Sequence, residues 1–426
     1  MNAGSDVAEA AADGRAGDGS EGDGRAADER AADTRVADRR VKRARLLQIL
    51  DDREADALVL TSASSLAWYL DGARIHVSLA ADPIVSLRVS RDGDELVLSS
   101  NERDRLVAEE LPDGLELREY EWQEPAPELD GLSESAVARE LREARRELLP
   151  GELARYRSLC ADAAAAATDA LLTCTPEWSE RRLAAEVSGA LIAAGADPLV
   201  LLVAGSSRSR HPHPLPTDAP LGSSAMLVIC ARRDGMIVNL TRSVSFEDLG
   251  AEARDRQRRI FEVEAAAFDA LRPGVELRDV LATIARAYPA AGFAEQHWRG
   301  HHQGGAAGYA GRDPRATPST DDTIVFGQAF SWNPWVPGAK VEDTVLLTSA
   351  EQRPSQENPG RENRSQAIPG QAIPGQENPG QEHPGHEHPS HENRGHEHPV
   401  VEPLTFDPRW PTIEIAGRAR PDTMQR

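Results

Sequence analysis

A glycine-rich stretch at residues 298–313 limits the folds open to this chain more than any other segment. It reads WRGHHQGGAAGYAGRD and sets two histidines, a glutamine, a tyrosine, an arginine and an aspartate among five glycines. Glycine permits sharp turns and a close approach of the backbone to a ligand. Such a segment is costly inside a regular core strand, so it predicts a bent strand or loop that arranges polar groups around a pocket. A glycine-rich surface loop is the alternative.

Length and cysteine content narrow the class of protein. The 426 residues are enough for two domains. No run of about eighteen apolar residues occurs and no apolar leader opens the chain, so we expect a cytoplasmic protein without a membrane partner. Cys160, Cys174 and Cys230 are an odd number without CxxC spacing. This pattern argues against a disulfide framework and against a zinc knuckle.

The charge balance excludes one class of partner. The net charge is −22, whereas nucleic-acid binding requires a basic face. Only Lys42 and Lys340 are lysines, and all other cationic side chains are arginines. An acidic, arginine-rich surface suits a salt-rich cytoplasm because salt screens the repulsion between carboxylates. A GC-rich coding sequence would produce the same bias.

Two segments have the composition of disordered chain. Residues 1–38 are mostly Ala, Gly, Asp, Arg and Glu, which predicts a disordered acidic tail. Residues 351–399 form a near-pentapeptide repeat whose Pro and Gly exclude helix and strand, which predicts a disordered insert. We assign no function to the insert, although it holds six of the twelve histidines.

Hydrophobic periodicity divides the remaining chain into two folded regions. Residues 39–149 mix helices and strands as in an α/β unit, and Pro150-Gly151 marks the boundary to a second region at 150–350. Residues 400–426 are expected to pack on the second region as a C-terminal extension. Helices are predicted at 41–50, 134–149, 152–172, 179–195, 251–271 and 277–288, and strands at 57–61, 84–89, 95–99, 199–204, 226–231, 236–241, 329–332 and 341–348.

Four short motifs stand along the second region in a recognisable order. They are HPLPT at 213–217, NLTR at 239–242, GHHQG at 300–304 and VEDT at 341–344. Their order and spacing resemble those of the creatinase, prolidase and aminopeptidase P family. The resemblance implies an α+β protein, in which a pita-bread catalytic domain follows a smaller α/β domain of the creatinase type.

The same resemblance implies a metal site that this chain has largely lost. Metallopeptidases of the family hold two divalent cations with two Asp, one His and two Glu. Here Val228 and Asn239 stand at the Asp positions and Asn333 at the first Glu position, so only His301 and Glu342 remain. We therefore predict no dinuclear centre and no cofactor. The alternative is one Mn, Co or Zn ion on His301 and Glu342.

Loss of the metal does not require loss of chemistry, because creatinase hydrolyses a C–N bond with a histidine and no metal. His213 matches that histidine, and we expect it to act as general acid/base with Glu342 as its partner and His301 beside it. The predicted function is hydrolysis of a peptide or amide-type bond in a small substrate, which resembles an Xaa-Pro dipeptide only by family analogy. The alternatives are a metallo-aminopeptidase with an altered mononuclear site, and a non-catalytic protein that binds small molecules or peptides.

Several polar residues are candidates for substrate contacts. Arg312 offers a fork for a carboxylate, with an ion pair to Asp313 as the alternative. Arg74 lies in the part of the first region that reaches the partner's active site in family dimers, so the chain is expected to form a homodimer. The full set of candidates is Arg74, Asn239, His302, Gln303, Tyr309, Arg312 and Asn333.

Overall fold

The computed structural model describes residues 20–349 and 398–426. The first domain contains the following elements: α1 (Ser20–Asp52), β1 (Ala57–Leu60), α2 (Ala63–Tyr69), β2 (Val85–Ser90), β3 (Asp94–Ser99), α3 (Arg103–Glu109), β4 (Glu116–Tyr120), β5 (Leu132–Ser133) and α4 (Ala138–Arg146). Its five strands form one sheet in the order β4-β3-β2-β1-β5. Strand β1 is antiparallel to β2 and parallel to β5.

The first helix corrects the predicted acidic tail. The tail was expected to reach residue 38, but α1 begins at Ser20 and continues without a break to Asp52. The added turns are rich in Ala and Arg, which are strong helix formers, and they extend a helix that the segment 41–50 already nucleates. Gly151 lets α1 pack closely on the following domain, since a Cβ there would lie 2.5 Å from Asp38 Oδ2. Residues 1–19 and 350–397, the latter holding most of the predicted insert, lie outside the described residues.

The second domain is larger and mixes helices with paired strands. Its elements are α5 (Pro150–Thr173), α6 (Glu180–Ala193), β6 (Asp197–Gly205), β7 (Ser224–Arg233), β8 (Met236–Ser245), α7 (Gly250–Ala270), α8 (Leu277–Ala290), β9 (Gly304–Ala307), β10 (Gln328–Trp332), β11 (Trp335–Val336), β12 (Ala339–Lys340), β13 (Asp343–Ser349), β14 (Pro399–Pro403), β15 (Thr412–Ile415), β16 (Arg418–Pro421) and β17 (Met424–Gln425).

Two four-stranded sheets meet at the polar positions of the sequence motifs. Their orders are β17-β8-β7-β6 and β14-β13-β10-β9. The backbone N–H of Thr241 donates to the Glu342 carbonyl at 2.9 Å, and that of Ile237 donates to the Gly308 carbonyl at 2.8 Å. The motifs at 239–242, 300–304 and 341–344 are therefore brought to one seam, although more than sixty residues separate some of them.

The C-terminal residues complete both sheets. Strand β14 pairs with β13, and β17 adds to β8 in parallel. On β16, Arg420 donates to Glu264 and to Asp343 at 2.7 Å each, inside the protein. The end of the chain is thereby joined to the strand that follows Glu342.

A buried charge cluster fixes the first domain against the glycine-rich stretch. The ammonium of Lys42 on α1 lies 2.9 Å from Asp71 Oδ1, 3.0 Å from Glu152 Oε1 and 2.8 Å from the Trp68 carbonyl. The Tyr309 hydroxyl donates to Glu152 Oε1 at 2.6 Å. Because all these groups are buried and hydrogen-bonded, the cluster holds α1, α5 and residue 309 in one arrangement.

A cavity of about 1160 Å³ lies between the domains. Its lining includes Arg74 and His76 on the first domain and Tyr309, Ala310 and Gly311 on the second. No helix within residues 20–349 and 398–426 is long and apolar enough to cross a membrane.

Candidate active site

The three histidines of the site come from two neighbouring segments. His213 lies in the loop before β7, between Pro212 and Pro214, and the Pro214 carbonyl accepts a hydrogen bond from the Val203 N–H at 3.1 Å. His301 and His302 follow a short 3-10 turn at 295–300 and precede β9. Proline fixes φ and so restricts the loop backbone on both sides of His213. The ring of His213 is exposed, that of His302 half-buried and that of His301 buried.

The three imidazole rings form a compact group. Nε2 of His301 lies 2.9 Å from Nε2 of His213. The rings of His301 and His302 are stacked with centroids 4.4 Å apart, and the centroids of His213 and His302 are 5.9 Å apart. One ring nitrogen from each residue lies within 4.8 Å of the other two. We refer to His213, His301 and His302 as the histidine cluster.

One backbone contact assigns the protons in this group. Nδ1 of His301 lies 2.5 Å from the His302 carbonyl oxygen, which can only accept. His301 therefore carries its proton on Nδ1 and presents a lone pair at Nε2, and His213 donates to that lone pair from its own Nε2. In the neutral His213 ring, Nδ1 is then the atom with a free lone pair.

The surroundings keep the cluster neutral at neutral pH. Burial, followed by the charges of Lys340 and of the neighbouring histidines, lowers the pKa of His301 to about 3. Burial and the charges of Arg312 and Arg315 lower the pKa of His302 to about 4. Reduced solvation and the charge of Lys340 lower the pKa of His213. All three rings can therefore offer lone pairs.

Glu342, the remaining carboxylate of the family's ligand set, is already hydrogen-bonded to other side chains. Glu342 Oε1 accepts from the Arg312 guanidinium at 2.6 Å, and Oε2 accepts from the Thr241 hydroxyl at 3.0 Å. Lys340 Nζ lies 3.8 Å from Oε2. The predicted pair of Glu342 with His213 is therefore replaced by a pair with Arg312, and the nitrogen nearest His213 belongs to His301.

Two cations hold this carboxylate in its charged form. Burial alone would raise the pKa of Glu342, but the charges of Lys340 and Arg312 and the hydrogen bonds outweigh it and lower the pKa to about 2. The pKa of Lys340 is lowered in turn, mainly by burial. This side of the site therefore carries more positive than negative charge, in contrast to a site built to hold cations.

The donor set does not fit a pair of metal ions. Val228, at one expected carboxylate position, packs against Leu202, Ala204 and Met226. Asn239 accepts from the Cys230 thiol at 3.1 Å and offers no negative charge. Asn333 is likewise neutral, and the guanidinium of Arg312 already balances Glu342. Two dications would face a single carboxylate, so the dinuclear centre is incompatible with these residues.

Two of the candidate substrate contacts, Gln303 and Tyr309, have their polar groups satisfied within the protein. Gln303 donates its amide to the carbonyls of Trp298 and His301 and accepts from the Tyr288 hydroxyl, so it braces the turn before β9. Tyr309 bonds to Glu152, as described above. The structure thus places both side chains in supporting positions, because their polar groups are already satisfied.

Arg312 and Asp313 also differ from expectation. The alternative ion pair between these two neighbours is wrong, because Asp313 accepts from Arg145 at 2.5 and 2.8 Å. The exposed Arg74 side chain pairs with the largely buried Glu110 carboxylate at 2.6 Å on the first domain. Its role as a substrate contact across a dimer stays a prediction.

Several buried polar atoms of the site have no hydrogen-bond partner within the described structure. They include Asn239 Nδ2, Asn333 Oδ1, Arg312 Nε and His302 Nδ1. Buried polar groups are normally paired, so these atoms are the candidates for contact with a ligand or water. Sequence reasoning missed three partner residues, namely Lys340 and Thr241 beside Glu342 and Arg145 beside Asp313. Lys340 carried a usable signal, since it is one of only two lysines and stands two residues before Glu342.

Comparison with known proteins agrees with this architecture. The profile of metallopeptidase family M24 matches residues 154–349. The matched segment is thus similar to the catalytic domain of this family. This confirms the resemblance derived from the four motifs, and the pita-bread fold is confirmed by solved structures of the same shape.

Three relatives illustrate the similarity. The probable dipeptidase PepE of Mycobacterium tuberculosis is 27% identical over 201 residues, which cover 43% of this chain and 53% of the relative. The chain therefore spans about half the length of the curated relatives it matches. Prolidase from Pyrococcus horikoshii superposes with a TM-score of 0.61 at 18% identity, over 72% of this chain and 95% of that one. Dipeptidase PepE from Mycobacterium ulcerans gives 0.59 at 20% identity, over 74% and 93%.

Proposed function

We propose that this M24-like domain hydrolyses a peptide or amide-type C–N bond in a small substrate without the family's dinuclear metal centre. The observation that carries the proposal is the exposed His213 ring, whose Nε2 is held by His301 and whose Nδ1 is left with a free lone pair. Dipeptides and Xaa-Pro dipeptides are the first substrates to test, because the relatives are named for them.

Proton transfer by His213 accounts for the reaction. Nδ1 takes a proton from a water molecule as the water oxygen bonds to the scissile carbonyl carbon. The same proton then passes to the leaving nitrogen as the C–N bond breaks, which returns His213 to its neutral state. His301 keeps the ring in one orientation, since its own proton is fixed on the His302 carbonyl.

The unpartnered polar atoms supply the contacts that position a substrate. Asn239 Nδ2 and Arg312 Nε are buried N–H groups without an acceptor, and they suit a carbonyl or carboxylate oxygen. Asn333 Oδ1 suits an N–H group. These three residues remain our proposed substrate contacts, together with His302 at the edge of the cluster.

A metallo-aminopeptidase with a mononuclear site is the second candidate, and one observation favours it. The histidine cluster groups three neutral nitrogen ligands. The ligand pair that the sequence suggests, His301 and Glu342, is less suitable, because both oxygens of Glu342 are already bonded to Arg312 and Thr241.

The test compares His213→Gln with the wild-type full-length protein on a panel of dipeptides and small N-acyl amides. Release of the free amine is followed in the presence of a chelator. Loss of the general acid/base is expected to lower kcat/KM by at least about 100-fold. The matched control is His211→Gln, an exposed histidine in the same loop, which is expected to keep the wild-type rate.

Two results would contradict the proposal. Equal rates for wild type and His213→Gln would remove His213 from the chemistry. A wild-type protein that binds panel members without cleaving them would favour the non-catalytic binding protein. We also infer that the chain forms a homodimer in which Arg74 reaches the partner's site. Sedimentation velocity would measure the oligomeric state directly.

A further inference from the structure

The histidine cluster has the composition of a transition-metal site. Within residues 30–349 and 398–426, one group of three His, Cys, Asp or Glu side chains brings its ligand atoms within 4.8 Å of one another, and it is His213, His301 and His302. Three imidazoles are a ligand set that suits zinc, cobalt and copper, and a three-ligand site leaves a further position open. Only His301 belongs to the ligand set that the family resemblance implies.

A second layer of hydrogen bonds already orients one ligand. Metal-binding histidines almost always donate their other ring N–H to a carbonyl, a carboxylate or water. His301 does so through Nδ1 to the His302 carbonyl at 2.5 Å, which leaves Nε2 for an ion. The Gln303 amide donates to the His301 carbonyl at 2.8 Å and so fixes the backbone between the two histidines.

One polar atom of the histidine cluster has no hydrogen-bond partner in the described structure. Nδ1 of His302 is buried and has no hydrogen-bond partner in the described structure. A buried unpaired nitrogen costs free energy unless something occupies its lone pair or accepts its proton. One nitrogen of each ring lies within 4.8 Å of the other two, and a cation bound by all three rings, with His302 coordinating through Nδ1, would complete the bonding of this nitrogen.

The distances require only a small adjustment. Zn–N bonds of about 2.0–2.1 Å at a tetrahedral angle separate two ligand nitrogens by about 3.3 Å. Nε2 of His213 and Nε2 of His301 are 2.9 Å apart, so the rings must part by a few tenths of an ångström. The exposed His213 ring can make this movement, whereas His301 is held by the backbone contact.

We propose that His213, His301 and His302 bind a single divalent transition-metal ion, in a site distinct from the family's carboxylate-bound pair. The ion lies on the histidine side, while Arg312 continues to neutralise Glu342. This inference stands independently of whether the chain is a hydrolase.

Metal binding has one consequence for the proposed chemistry. Coordination through Nε2 of His213 moves the proton of that ring to Nδ1. The metal-bound protein then lacks the free lone pair that proton transfer requires. Ion binding and metal-independent hydrolysis are therefore expected to exclude each other.

The experiment is a Co²⁺ titration of the dialysed full-length protein, followed by visible d–d absorption and by metal analysis after gel filtration. The variants are His302→Gln and His213→Gln, which keep a polar side chain of similar length. His211→Gln is the matched control in the same loop. Six more histidines lie at residues 383–398 and are common to all four proteins, so the result is taken as a difference between them.

The proposal predicts that wild type and His211→Gln each bind one more equivalent of Co²⁺ than either cluster variant, with a tetrahedral spectrum for the extra ion. Loss of one ligand is expected to weaken that site by at least about 100-fold, since loss of an outer partner alone costs 10–100-fold. Circular dichroism confirms that each variant is folded. Equal stoichiometry in all four proteins would overturn the proposal, and a difference of two equivalents would overturn its single-ion form.

Discussion

The two ends of the glycine-rich stretch treat their polar side chains in opposite ways. At the C-terminal end, each polar side chain has a charged partner elsewhere in the fold: Tyr309 hydrogen-bonds to Glu152. Arg312 pairs with Glu342, and Asp313 pairs with Arg145. At the N-terminal end, His301 and His302 contact each other and His213, and no charged side chain within residues 30–349 and 398–426 hydrogen-bonds to them.

This difference distinguishes structural side chains from those available for catalysis or binding more clearly than residue type does. Judged from residue type alone, all five side chains could serve in catalysis. A group held in a buried ion pair contributes to stability, because its removal weakens the pairing of a buried charge. Arg312 does so through its terminal nitrogen, while its Nε–H stays available to a ligand. Groups with free lone pairs contribute little to stability and remain available to a ligand. Substitutions at the two ends should therefore have opposite profiles.

The largest effect on stability is expected for Arg312→Ala. This change leaves Glu342 as a buried carboxylate without its guanidinium, which typically costs about 3–5 kcal/mol. Urea denaturation measures the free energy of unfolding. Arg181→Ala removes an exposed ion pair with Asp218 and serves as the control, with an expected loss below about 1 kcal/mol. Similar losses for the two variants would show that the buried pair is not a structural element.

The next effect is a pH dependence that originates at Glu342. Its pKa falls to about 2 in the folded protein from an ordinary value of 4.5. A depressed pKa stabilises the fold above the unfolded value, and that stabilisation is lost as the pH falls from about 4.5 towards 2. The shift corresponds to about 3 kcal/mol. Glu342→Gln should therefore be less stable than wild type at pH 7, and the difference should shrink in acid; a constant difference from pH 7 to pH 3 would contradict this.

A smaller loss is expected for Tyr309→Phe. The change removes one of the hydrogen bonds to the buried Glu152 carboxylate, while Lys42 and the Leu149 N–H keep theirs. The expected cost is about 2 kcal/mol with unchanged kcat/KM. Tyr120→Phe on strand β4 is the matched control. A large loss of activity at unchanged stability would return Tyr309 to the list of substrate contacts.

The smallest effect on stability is expected at the histidine end. His213→Gln should change the free energy of unfolding by no more than about 0.5 kcal/mol, because the ring is exposed and bonds only to another imidazole. Its amine-release rate should nevertheless be strongly reduced. A stability loss as large as that of Arg312→Ala would remove the contrast between the two ends.

Much of the fold was accessible from the sequence because periodicity and breakers are local signals. The helices expected at 152–172, 251–271 and 277–288 are found as α5, α7 and α8 with ends shifted by at most two residues. The strands expected at 57–61 and 341–348 are likewise present as β1 and β13. The length of helix α1 was underestimated because its first turns lack apolar periodicity. These turns are helical because of their residue propensities and because they continue into the buried turns near Asp38 and Lys42.

The site was predicted less completely, because its partners are set by sheet pairing rather than by spacing. Motif order placed His213, His301 and Glu342 in one region. It could not show that Arg312, thirty residues before Glu342, would bond to that carboxylate, or that Asp313 would bond to Arg145 on α4. His302 was expected only to contact substrate, yet its ring stacks on His301. Spacing does not predict this contact, because consecutive residues in extended chain usually point to opposite faces.

The most direct test of the contrast between the two ends is the metal dependence of hydrolysis. Amine release from the dipeptide and N-acyl amide panel is measured with the full-length protein in excess chelator, and again with free Zn²⁺ fixed by a metal buffer. We predict that activity persists in chelator, depends on His213 and falls when Zn²⁺ fills the histidine cluster. Activity that vanishes in chelator and returns with the ion would contradict metal-independent proton transfer and would make the histidine cluster a catalytic metal site instead.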